Sequence, residues 1–91
     1  MFNVHIVHIS DEVLHEGEAE RVVLPGVLGD FEIVDLHAPI VSLLARGKIS
    51  VKLPQPVQVE EGSSETYQFK KVSIEQGLMR FDGKELFAVV E

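Results

Sequence analysis

The residues best placed to do chemistry in this sequence lie in Asp30-Phe31-Glu32-Ile33-Val34-Asp35-Leu36-His37. In an extended chain alternate side chains share a side, so Asp30 and Glu32 point together, and Asp35 joins His37 if the alternation slips once. Carboxylates beside an imidazole could move protons or hold a divalent metal. A metal site needs further convergent ligands and an outer shell that orients them, and neither the spacing nor another histidine supplies these. His5 and His8 are an odd number of residues apart, so a strand sends them to opposite faces, and His15 has no evident partner. Gly26-Val27-Leu28-Gly29 lacks the lysine and the following helix of a phosphate-binding loop. No nucleophile elbow or Ser/His/Asp arrangement is present. The sequence therefore predicts no catalytic residues, no metal site and no cofactor.

The elements that carry these residues read as short strands. Phe2, Val4 and Ile6 alternate with Asn3 and His5, a period of two. Val13 to Gly17 is expected to form a short strand closed by Gly17. Glu18 to Leu24 forms another, ended by a turn at Pro25-Gly26, where a fixed φ precedes a permissive glycine. Lys48 to Leu53 places Ile49, Val51 and Leu53 on one face, a half-buried strand that Pro54-Gln55-Pro56 should stop. An extended pattern resumes at Val57, and Glu60-Glu61-Gly62-Ser63-Ser64 reads as a mobile hairpin tip. The run from Thr66 to Ile74 is rich in β-branched and aromatic residues. Gly77 marks a turn or a close backbone approach, and Asp82-Gly83 joins two final strands in a hairpin. No run of ten residues has helical periodicity, and there is no internal repeat. About eight to ten short strands punctuated by Gly and Pro mean an all-β fold, an antiparallel sandwich or barrel.

The totals bound the rest. At 91 residues the chain is long enough for one domain with one core. It has no cysteine, so packing alone must hold that core together. The net charge of −7 argues against nucleic-acid binding, which needs a basic surface to neutralise phosphates. The excess acid lies in the first half: residues 1–45 hold eight carboxylates against Arg21 alone, whereas residues 46–91 hold seven of each sign. That half is suited to solubility or to docking a basic partner. No stretch is long and apolar enough to span a bilayer, and the acidic N-terminal twenty residues are unlike a targeting peptide.

Four pieces in register resemble one known family. Leu24-Pro25-Gly26, Gly29-Asp30-Phe31-Glu32-Ile33, His37-Ala38-Pro39-Ile40-Val41 and Gly47-Lys48-Ile49 are similar to the LPG, GEFGI, NHAPLV and PGxI pattern of the rotary ATP synthase epsilon subunits. The flanking strands also match, so the resemblance covers essentially the whole chain as one domain, residues 1–91. It implies an antiparallel sandwich of about ten strands in two five-stranded sheets, the N-terminal domain of that family. The family's C-terminal helical hairpin, with its inhibitory and ATP-binding roles, is not expected, because no residues follow Glu91.

By the same resemblance the domain would be a non-catalytic rotor part that joins the gamma shaft to the polar loops of the membrane c-ring. It would be monomeric alone and peripheral on the cytoplasmic face of a bacterial inner membrane. Leu28, Gly29, Asp30 and Phe31 match the family's ring-facing loop. Ile9, Ser10, His37, Ala38, Pro39, Ile40, Val41 and Ser42 match its gamma-facing stretches. Glu32, Asp35, Glu75 and Gln76 depart from the family pattern, which suggests altered loop geometry. The competing expectation is a free-standing sandwich that binds a glycan, peptide or other ligand; the absence of Trp and the single tyrosine, Tyr67, weigh against it.

Overall fold

The computed structural model describes residues 1–58 and 65–91, and only the backbone of residues 55–58 and 65–68. The Glu60–Ser64 tip lies outside the described residues. Among the described residues nine strands are present: β1 (Phe2–His8), β2 (Val13–Ala19), β3 (Arg21–Gly26), β4 (Gly29–Val34), β5 (Ile40–Leu44), β6 (Gly47–Gln58), β7 (Glu65–Ile74), β8 (Gly77–Phe81) and β9 (Glu85–Val90). Among the described residues no helix is long and apolar enough to cross a membrane.

The strands follow one hydrogen-bonded path, β2-β1-β9-β8-β5-β3-β6-β7, with β4 on the other side of β3. β5 pairs with β8 along its length but meets β3 only at Gly26 and Leu44, so it forms the corner at which the path turns from one layer to the other. The period-two pattern then fills the space between the layers. Phe2, Val4 and Ile6 of β1, Met79 and Phe81 of β8, and Leu86, Ala88 and Val90 of β9 meet Val22 and Leu24 of β3, Ile33 of β4, and Ile49 and Val51 of β6 in one core. The expected all-β sandwich is what the chain forms.

Several details differ from the sequence reading, each for a physical reason. The pairing of β1 with β9, from Asn3 opposite Glu85 to His8 opposite Val90, is parallel. Parallel neighbours need a long connection, and the seven intervening strands provide it. The two layers are also continuous through β5 rather than separate sheets. The Glu18–Leu24 run breaks at Glu20, whose N–H bonds to the Lys52 carbonyl. The turn expected at Pro25-Gly26 falls at Val27-Leu28, because pairing of β3 with β4 continues to Gly26 opposite Gly29. Gly17 lies within β2 and does not close it. The prolines do not stop β6; between Lys52 and Pro56 its register with β7 shifts, a bulge that accommodates residues without an N–H to donate. Gly77 is a close approach, since a Cβ there would lie 2.8 Å from the Val89 carbonyl oxygen.

Candidate functional site

The β3–β4 hairpin presents the acidic loop. Val27 and Leu28 form its two-residue turn, with Leu28 fully exposed. Gly29 follows at φ 129°, a value that favours glycine, and Asp30 points into solvent. Phe31 turns inward against the core. Gly26 makes room for that ring: a Cβ at this position would lie 2.9 Å from Phe31 and 2.6 Å from the Gly29 carbonyl oxygen. Leu28, Gly29, Asp30 and Phe31 therefore share one wall of a groove of about 590 Å³, whose other wall is Ile40, Val41, Ser42 and Leu43 of β5.

Ile9 follows β1 and lies in a second groove of about 600 Å³, with Leu78 of β8 and Val89 of β9. Val27 and Leu43 line both grooves, so the hairpin tip and the end of β1 belong to one continuous surface. Ser10 lies beside it in a tight turn, its N–H donating to His8 Nδ1 at 3.1 Å.

His37 and Ala38 line neither groove. The His37 ring donates from Nδ1 to the Ala38 carbonyl oxygen at 2.6 Å and meets Phe81 edge-on at 6.1 Å between centroids. Pro39 lines a smaller hollow with Ile40, Val41, Arg80, Phe81 and Asp82. Leu36, next to His37, is almost fully exposed and holds φ 68°, the left-handed region that non-glycine residues seldom enter.

The acidic segment does not converge into one site. Glu32 lies 3.9 Å from Arg21 across the β3–β4 pair, and Asp35 pairs with the Met1 amino group. Among the described residues no group of three His, Cys, Asp or Glu could hold a metal ion.

The register exposes what sequence reading missed. On the outer face of β5, β8, β9, β1 and β2, paired residues form rows across the strands. The first row is Leu43, Leu78, Val89, Val7 and Val13, apolar throughout. Leu43, Leu78 and Val89 are 63%, 49% and 51% exposed, a large uncovered area for aliphatic side chains. The second row is Val41, Arg80, Phe87, His5 and Glu16, with the Arg80 guanidinium 5.2 Å from the Phe87 ring centre and His5 stacked on the same ring at 4.8 Å. The third, Glu85, Asn3 and Glu18, is acidic. A signal was available: in β8 and β9 Leu78 and Val89 are apolar in the phase opposite to the buried Met79, Phe81, Leu86 and Ala88.

The structure is thus a β-sandwich with an apolar outer face graded towards acid and a protruding hairpin beside it. The sequence profile of the ATP synthase Delta/Epsilon chain β-sandwich domain matches residues 1–90, and the chain belongs to that family. It is similar to the ATP synthase epsilon chain of Caulobacter vibrioides, with 38% identity over 53 residues, which are 57% of this chain and 62% of that protein. Its fold resembles a chain in the central stalk/c-ring structure of the Tetrahymena thermophila mitochondrial ATP synthase, with a TM-score of 0.70 and 12% identity over 98% of this chain and 62% of that one. The chain thus spans about three fifths of the length of those relatives.

Proposed function

We propose that this domain is a non-catalytic central-stalk part of a rotary ATP synthase that joins the gamma shaft to the polar loops of the c-ring. The observation that carries this reading is the continuity of the exposed apolar surface, from Val27 and Leu28 at the hairpin turn through Leu43, Leu78 and Val89 to Ile9. Torque passes only through a contact that resists shear, and a close-packed sheet offers a stiffer face than a tether. The shaft covers the apolar row with Ile9, Ser10, Ile40, Val41 and Ser42 at its border, while His37, Ala38 and Pro39 meet it at the opposite end of β5. The ring meets Leu28, Gly29, Asp30 and Phe31, where the Asp30 carboxylate pairs with a basic loop residue. The domain would then sit peripherally on the cytoplasmic face of a bacterial inner membrane, and alone it is a monomer.

Co-expression with the gamma subunit tests the reading. A one-to-one complex should form, and Leu78→Asp should weaken it at least tenfold, about 1.4 kcal/mol or more, by burying an unpaired charge, while the exposed position leaves the fold intact. Asp30→Lys should spare the gamma complex but weaken coupling of hydrolysis to ion pumping in the assembled synthase. No gamma binding at micromolar concentration would overturn the proposal.

A further inference from the structure

His15 occupies the inward side of β2, paired with Ile6 of β1, where β2 meets β6 across the sandwich. It is 8% exposed, yet its Nε2 is buried and, among the described residues, has no hydrogen-bond partner. Such an atom tolerates neither a lone N–H nor a positive charge.

The groups around His15 reinforce this. From β7, Lys70 points to the same inward side, as its register opposite the buried Val51 requires. From β1 comes His5, across the ladder. β6 turns Val51 inward, while Lys52 lies 3.6 Å from Glu20. On β2 itself Glu16 points outward, 3.5 Å from His5 Nδ1, and Glu85 of β9 lies 3.9 Å from His5 Nε2. Burial first, then Lys70, then His5 hold the His15 imidazolium below the ordinary histidine range.

β2 is also the strand best placed to move. It ends the hydrogen-bonded path and, among the described residues, is paired only with β1. We propose that His15 is an acid-operated latch: uncharged, it closes the sandwich between β2 and β6, and charged, it releases β2 and withdraws Val13 from the outer apolar row. The release is a property of the domain alone; its effect on a partner rests on the docking function proposed above.

The direction follows from linkage. The released strand binds the proton more readily than the closed one, so closure is fully favoured above the ordinary histidine value of 6.5 and is lost as pH falls from there through the depressed value of the closed state. The closed-to-open ratio should drop by up to about tenfold per pH unit in that window.

Amide exchange on the whole chain between pH 8 and pH 5, corrected for intrinsic rates, tests the latch. Protection of Val13–Ala19 should fall about tenfold or more on acidification while β8 and β9 keep theirs, and His15→Phe should abolish the loss. Equal loss in His15→Phe, or uniform loss across all strands, would overturn the proposal. Should His15→Phe not fold, NMR titration of the wild-type imidazole decides: protonation at or above 6.5 overturns the latch. Gamma binding at pH 8 and pH 6 separates the two readings. Binding that weakens in acid supports both, whereas no binding at either pH removes the docking function and leaves exchange to judge the latch.

Discussion

At the residue scale, Leu36 is a costly backbone position and Asp82 heads a well-satisfied turn. Leu36 holds φ 68° with its side chain in solvent, so no packing offsets the crowding of its Cβ against the backbone. Leu36→Gly should therefore stabilise the domain by about 0.5 kcal/mol, the left-handed penalty relieved less the entropy lost by glycine, as read from urea unfolding midpoints. Asp82 is the opposite case. Its Oδ1 accepts the N–H groups of Glu85 at 2.8 Å and Lys84 at 2.9 Å, and these bonds lower its pKa. A carboxyl whose folded pKa is depressed supports folding above its ordinary value of 3.8 and loses that support as pH falls through the folded value. Asp82→Ala should lower the melting temperature at neutral pH and shrink its decline between pH 5 and pH 2. Legibility at this scale followed local chemistry. Asp82-Gly83 was readable because the side chain caps the turn that it starts, whereas Pro25-Gly26 misled because strand pairing carried β3 past a favourable turn sequence to Val27-Leu28.

At the element scale, Phe81 ties three parts of the fold together. It is buried at the end of β8, packs edge-on against Phe2 of β1 at 5.4 Å, and supports the His37 ring in the β4–β5 loop. Phe81→Ala should cost about 3–5 kcal/mol, measured by chemical denaturation, because both the transfer energy and the cavity count against it. That is a large part of the roughly 5–14 kcal/mol expected for a domain of this size. The strands themselves were legible wherever period-two alternation was clean, as in β1 and β6. The outer row of Leu43, Leu78 and Val89 was not, because a strand apolar in both phases does not say what lies over its second face. Likewise the two proposed contact stretches were readable as motifs, but only the corner at β5 shows that Ile40–Ser42 share a groove with Leu28–Phe31 while His37 and Ala38 do not.

At the scale of the whole molecule, the pairing of β1 with β9 decides how the chain assembles. Local pattern cannot encode a partner some eighty residues away, which is why the parallel ladder was not read from sequence. Closing so long a loop costs entropy before any contact rewards it, so the domain should fold in milliseconds to seconds rather than microseconds, as stopped-flow refolding would record. The same ladder has a mechanical meaning. Asn3 lies opposite Glu85 and His8 opposite Val90, so the strands run the same way and a pull between Met1 and Glu91 slides them lengthwise. All the ladder bonds then bear load together instead of opening one after another like a zipper. Force spectroscopy on the end-tethered domain should therefore meet high resistance, the behaviour of a component that transmits strain without yielding to it.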